Sequence, residues 1–137
     1  LSQLSFYGKK YPDIQKPSRA YISTHCERHG CFRFALALRN LTRTTDGNVS
    51  IYFRVTAPKK MEHLGVSRIS VQRYTGSYWR TEHNYKYPET TELQGENVGR
   101  YSATVVYEPQ YPSSEYRAVL TFYGADSTGS DTGVYTT

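Results

Sequence analysis

The chain has 137 residues and a formal net charge of +5, and it draws on 14 Tyr, 5 Phe and one Trp for its large packing units. That length suits one domain able to bury a core without many cross-links, and such an aromatic set favours strands over helices. No apolar run approaches the roughly 18 to 20 residues of a membrane span, and Arg33, Arg39 and Arg54 are scattered through strand-like sequence instead of forming a basic cluster, so neither membrane insertion nor nucleic-acid binding is expected.

Residues 1 to 19 mix Leu1, Leu4, Phe6 and Tyr7 with Gly8, Pro12 and Pro17, with no sustained period of 2 or 3.6. This reads as an extended N-terminal arm, with a single β-domain over residues 20 to 137. Arms of this composition order only when tied down, and adding a strand to an exposed sheet edge is the usual way. Charge points the same way. Residues 1 to 60 hold eleven Lys or Arg against three acids, and residues 61 to 137 hold six against nine, so a cationic half of one copy would attract an anionic half of the next. The expected partner is therefore another copy, as a homo-oligomer or a filament neighbour.

Next comes "THCERHGCFRF", residues 24 to 34. His25, Cys26, His29 and Cys31 lie within seven positions, too cramped for the tetrahedral wrapping of a structural zinc ion. Redox chemistry usually relies on Cys-x-x-Cys at a helix N-terminus, which is absent here. A disulfide between Cys26 and Cys31 closing a turn fits better, and so short a loop is worth roughly 2 kcal/mol or less. Such a staple, with Leu1 in place of Met as in a processed mature protein, predicts a secreted or cell-surface protein. No cofactor is expected.

Alternation then dominates. Phe32, Phe34, Leu36 and Leu38 share one face of a strand, and Ile51, Phe53 and Val55 repeat the pattern. It recurs at Ile69 and Val71, at Trp79, Thr81 and His83, at Tyr101 to Tyr107, and at Tyr116 to Phe122. Between these runs lie "NLTRTTDGN", "APKKMEHLG", "TGS", "PETTELQGEN", "EPQYPSSE" and "GADSTGSD", all rich in turn-forming residues. A short helical turn is one alternative over residues 58 to 65. Asn40 and Asn48 head the sequons "NLT" and "NVS", both expected near one turn. "YSATVVY" (101–107) and "YRAVLTF" (116–122) echo each other and read as neighbouring hairpin strands. The fold expected is an all-β antiparallel sandwich of seven or eight strands.

The stretch "RYTGSYWRTEHNYKYP" gathers Tyr74, Tyr78, Trp79, Tyr85 and Tyr87 around a turn at Thr75 to Ser77. Exposed rings beside polar groups are how β-sandwich modules grip sugars, which resembles carbohydrate-binding modules and makes these five residues candidate contacts for a cell-surface glycan. As a lone tryptophan in an all-β chain, Trp79 is expected in the core, leaving the tyrosines to the surface. "RTEH" (80–83) places an Arg, a Glu and a His together, as a secreted ribonuclease would need, but strand alternation sends Glu82 and His83 to opposite faces.

"EYRAVLTFYGADSTGSDTGVYTT" resembles the last hairpin of a fibronectin type III or related immunoglobulin-like domain, and "GRYSATV" resembles the Gly-x-Tyr-x-Cys strand of immunoglobulin domains with Ala103 in the Cys position. The likeness covers residues 98 to 137. It implies an immunoglobulin-like sandwich with Tyr101 or Tyr116 as a tyrosine-corner residue. "GSYWRT" followed by "YRAVLTFYG" is similar to small secreted β-sandwich proteins of Gram-positive bacteria. Together these features predict a secreted, non-catalytic structural or adhesive subunit that self-associates through its arm. A carbohydrate-binding module is the alternative, and a secreted hydrolase the third reading.

Overall fold

The computed structural model describes residues 18–20 and 36–137. The arm residues Leu1, Leu4, Phe6 and Tyr7, and the Cys26/Cys31 pair with His25 and His29, lie outside the described residues.

The chain is all-β and antiparallel, as its alternation predicts. Among the described residues seven strands follow one another: β1 (Ser18–Ala20), β2 (Leu36–Arg43), β3 (Val49–Tyr74), β4 (Trp79–Lys86), β5 (Gln94–Tyr107), β6 (Tyr116–Asp126) and β7 (Gly129–Thr136), with a 3₁₀ turn at Thr91–Leu93 before β5. They form one open sheet organised on β3, whose 26 residues make it the longest strand. Its first part is flanked by β2 and β5, and its last part by β4 and β6. β1 extends the sheet beyond β2, and β7 extends it beyond β6.

The sheet folds back on itself. Phe53 in β3 and Phe122 in β6, which pairs with Val66 of β3, have ring centroids 6.3 Å apart at 76°. Straight extended chain from residue 53 to 66 would span roughly 43 Å. The bend falls where β3 loses step with β5, between Thr56 and Met61. Pro58 sits inside that irregularity, where its missing N–H costs no ladder bond. Burial follows the bend. Val49, Ile51, Phe53, Val55 and Ala57 alternate inward, then Leu64, Gly65 and Val66 are buried consecutively beyond the bend. A bulge at Ser67, opposite β6, then brings Ile69 and Val71 back into the core. Phe53, Phe122, Ile51, Met61, Leu64, Ile69 and Leu93 are among the fully buried side chains, each worth about 1.5–3 kcal/mol in apolar burial.

Four expectations need correction. The runs at Ile51–Val55 and Ile69–Val71 belong to one strand, and residues 58 to 65 are strand, neither turn nor helix. Segments 101–107 and 116–122 are not hairpin partners, because β5 pairs with β3 whereas β6 pairs with β3 and β7. Asn40 lies within β2, opposite Tyr52, so it is strand, while Asn48 closes the turn before β3 with its N–H donated to Thr44 Oγ1 at 3.0 Å. Trp79 is half-buried at the sheet surface and outside the core.

Candidate functional site

The hairpin joining β3 to β4 is set by Thr75. Its N–H donates to the Tyr78 carbonyl at 2.9 Å, and its hydroxyl accepts from the amides of Ser77 and Tyr78. Gly76 completes the turn at φ +101°, a conformation that favours glycine. This puts Tyr74 directly opposite Trp79, with ring centroids 5.2 Å apart. The Arg117 guanidinium of β6 lies 4.4 Å from the Trp79 ring centroid, a cation–π contact. Arg117 is aimed there by Gln72, whose Oε1 accepts from Arg117 Nε at 2.7 Å and whose Nε2 donates to Thr81 Oγ1 at 3.3 Å.

Gln72, Tyr74, Trp79, Thr81 and Arg117 are paired in register and so share one face. Val71 and Ile69 point to the other side, so this is the outer face of the sheet. One step along it, Ser70 donates to Asn84 Oδ1 at 2.5 Å. Tyr78 projects from the turn with 59% of its surface exposed, and Tyr74 is 37% exposed. The result is a pair of aromatic rings inclined at 47° to each other, with a third at the tip of the turn, bordered by an amide, a guanidinium and hydroxyls.

Tyr85 and Tyr87, the other candidates from the aromatic run, lie elsewhere. Tyr85 packs against the core, donates its hydroxyl to the Val106 carbonyl at 3.4 Å and contacts His83 with ring centroids 4.5 Å apart. Tyr87, beside a cis Tyr87–Pro88 peptide, packs on His63 and lines a pocket with Ser67, Gln94 and Tyr123.

On the inner side, a cluster of which the sequence reading singled out Tyr116 and Glu82 but not Arg43, Arg73 or Tyr111 fastens the β5–β6 loop. Arg43 Nη1 donates to the Ser114 carbonyl, and Nη2 to the carbonyls of Pro112 and Gly47. The Tyr116 hydroxyl donates to the Tyr111 carbonyl five residues upstream, at 3.1 Å. Arg73 lies 4.2 Å over the Tyr111 ring and pairs with Glu82 at 2.9 Å. A register shift between Val71 and Gln72 makes Glu82 the extra residue of β4 and interrupts the alternation expected there. His83 stacks on Tyr107 at 5.9 Å, while Glu82 is held by Arg73 and, at 3.8 Å, by Arg80. Burial raises the Tyr85, Tyr107 and Tyr116 hydroxyls above the usual tyrosine range and lowers the Arg43 guanidinium. Engaged in this way, Glu82 and its arginines act as a structural lock.

Tyr101 makes a similar but longer tie, donating to the Glu92 carbonyl at 2.6 Å. Among the described residues, no three His, Cys, Asp or Glu side chains gather as metal ligands, and no helix is long and apolar enough to cross a membrane. Comparison with known proteins returns no matching family model, curated protein or solved structure.

Proposed function

We propose that this is a secreted, non-catalytic module of immunoglobulin-like sandwich build that acts by surface contact, and that it binds glycan on the outer face of the β3–β4 hairpin. The observation that carries the reading is the grouping of Tyr74 and Trp79 with Arg117, Gln72 and Thr81 on one open face, with Tyr78 exposed beside them. Sugar rings present apolar C–H faces and equatorial hydroxyls together. Rings edged by hydrogen-bonding groups complement both. The immunoglobulin-like build is supported by the sheet folding back on itself along β3 and by the Tyr116 hydroxyl bonded to a carbonyl five residues upstream, in the manner of a tyrosine corner.

A glycan array probed with the wild type, Trp79→Ala and Tyr78→Ala tests the reading. Signal should be lost with Trp79→Ala and weakened with Tyr78→Ala, and should persist in Tyr85→Phe, since Tyr85 faces inward. Equal signal in all four proteins, or none in any, defeats it.

A second reading, head-to-tail assembly, is favoured by β1. Its three residues add to β2 in antiparallel register, Ser18 opposite Arg39 and Ala20 opposite Ala37, so the β2 edge accepts an N-terminal segment as an added strand. Residues 1 to 17 from another copy would reach the same edge by strand exchange. Light scattering on the chain lacking residues 1 to 15 tests this. Loss of a concentration-dependent oligomer supports assembly, and a monomer both with and without the arm rejects it.

A further inference from the structure

The pocket lined by His63, Ser67, Tyr87, Gln94 and Tyr123 lies beyond the bend in β3, and its volume is ≈ 290 Å³. Gly65 is paired with Gln94 on one side and Tyr123 on the other, and contributes no side chain between them. His63 and Ser67 flank Gly65 along β3. Tyr87, whose N–H is anchored to the Ser67 carbonyl at 3.1 Å, adds a second aromatic wall.

The polar groups here are poorly satisfied. Gln94 is the buried polar residue in the neighbourhood, 8% exposed, and its Nε2 donates at a long 3.4 Å to the Val66 carbonyl. His63 Nδ1 is buried without a hydrogen-bond partner. The Ser67 hydroxyl donates to the Thr121 carbonyl, also at 3.4 Å, leaving its oxygen lone pairs to accept. Buried polar groups are ordinarily well paired, because leaving one unpaired costs about 1–3 kcal/mol. One such unpaired group, His63 Nδ1, stands here beside two long hydrogen bonds, those of Gln94 and Ser67, around one opening between two tyrosines.

We infer that this pocket is a ligand site, distinct from the hairpin platform, that takes a neutral hydroxylated ring the size of one sugar residue. The lining carries no Asp, Glu, Lys or Arg, which disfavours a charged ligand. Its volume stands at the small end of the roughly 300–1,000 Å³ typical of small-molecule sites. Ring hydroxyls both donate and accept, so one sugar can serve the Gln94 amide, the Ser67 hydroxyl and the His63 imidazole while its C–H faces meet Tyr87 and Tyr123.

The test is an NMR titration of the full-length, ¹⁵N-labelled protein with methyl glycosides of glucose, galactose, mannose and N-acetylglucosamine. At least one should give saturable shifts in the amides of residues 63–67 and 94. Binding should weaken about tenfold in Tyr123→Ala, persist in Tyr123→Phe, which keeps the ring, and persist in Trp79→Ala, which removes the hairpin platform. Amide spectra of the free variants establish that each is folded. Water alone in the pocket predicts no saturable shift up to about 50 mM sugar, and that result, or equal affinity in Tyr123→Ala, overturns the inference. Shifts confined to the hairpin would overturn it while leaving the platform reading intact.

Discussion

A methyl group placed on Gly65 would sit 2.2 Å from the carbonyl oxygen of Leu93. It would also lie 2.8 Å from Gln94 Cα, so both contacts are with backbone that cannot swing aside, at the end of the 3₁₀ turn and the start of β5, and Gly65 itself has φ +155°. Gly65→Ala must push β3 away from the Leu93–Gln94 backbone. It should cost about 3 kcal/mol or more, read as a fall in the urea midpoint. A midpoint within error of the wild type would show that this approach is not as tight as described.

The β5–β6 loop should depend on two side chains acting together. Arg43→Met removes the donor to three carbonyls, Gly47, Pro112 and Ser114, and should cost about 2–4 kcal/mol. Tyr116→Phe removes a single hydroxyl donor and should cost about 1 kcal/mol. Because both hold the same loop and Arg43 also lies 5.4 Å over the Tyr116 ring, the double variant should lose less than the two singles combined. Strict additivity in denaturant melts would show that the contacts are independent.

Four tyrosines, Tyr85, Tyr101, Tyr107 and Tyr116, have hydroxyls raised above the ordinary value of 10.0, in each case chiefly by burial. The unfolded chain therefore ionises first as pH rises. Their contribution to stability is complete below pH 10 and is lost on going up from there towards the raised values. Thermal melts across the alkaline range should show this fall, and Tyr116→Phe should make it shallower.

Asp126 behaves oppositely in acid. Hydrogen bonds from Lys59 and Thr128 hold its carboxyl well below the ordinary value of 3.8. The unfolded chain takes up this proton first, so the stabilisation present above the ordinary carboxylate range is lost only as pH falls through that range towards the lower, folded value. Asp126→Asn should flatten the acid limb of the stability profile and leave its shape at neutral pH unchanged. Acid melts of the two proteins make the comparison.

Trp79 is the one tryptophan of the chain, so indole emission, excited at wavelengths where tyrosine does not absorb, reports on the hairpin. Arg117 covers its ring and is tied in turn to Gln72. Arg117→Ala should expose the indole and shift its emission to the red, with Gln72→Ala giving a smaller shift in the same direction. An unchanged spectrum in Arg117→Ala would mean that the guanidinium does not cover the ring in solution.

Much of this architecture was legible from alternation. The inward rows Ile51, Phe53, Val55 and Tyr116, Ala118, Leu120, Phe122 carry period 2 because each strand has one core face. The continuity of β3 was not legible, since Pro58, the charged Lys59, Lys60 and Glu62, and Gly65 together read as a turn. Their meaning is tertiary: Pro58 occupies a register break and Gly65 a close approach between strands. The hairpin tip could be read because Tyr74, Tyr78 and Trp79 are neighbours in sequence as well as in space. Its Arg117 and Gln72 could not, because only the β3–β6 register brings them together. The pocket gave no local signal at all, its residues being spread from His63 to Tyr123. The expectation that a lone tryptophan fills the core misplaced Trp79, because the end of a hairpin extends past the core.

The length of β3 has a mechanical meaning. The strand ends at Tyr74, under the proposed glycan platform, and begins at Val49, on the far side of the bend. A pull on a ligand held at the hairpin therefore enters one 26-residue strand. It is shared among the ladders to β2, β4, β5 and β6, loaded along their length in shear, so they would have to yield together instead of opening one bond at a time. A domain anchored at one end and gripping a surface at the other would bear tension through this single tendon.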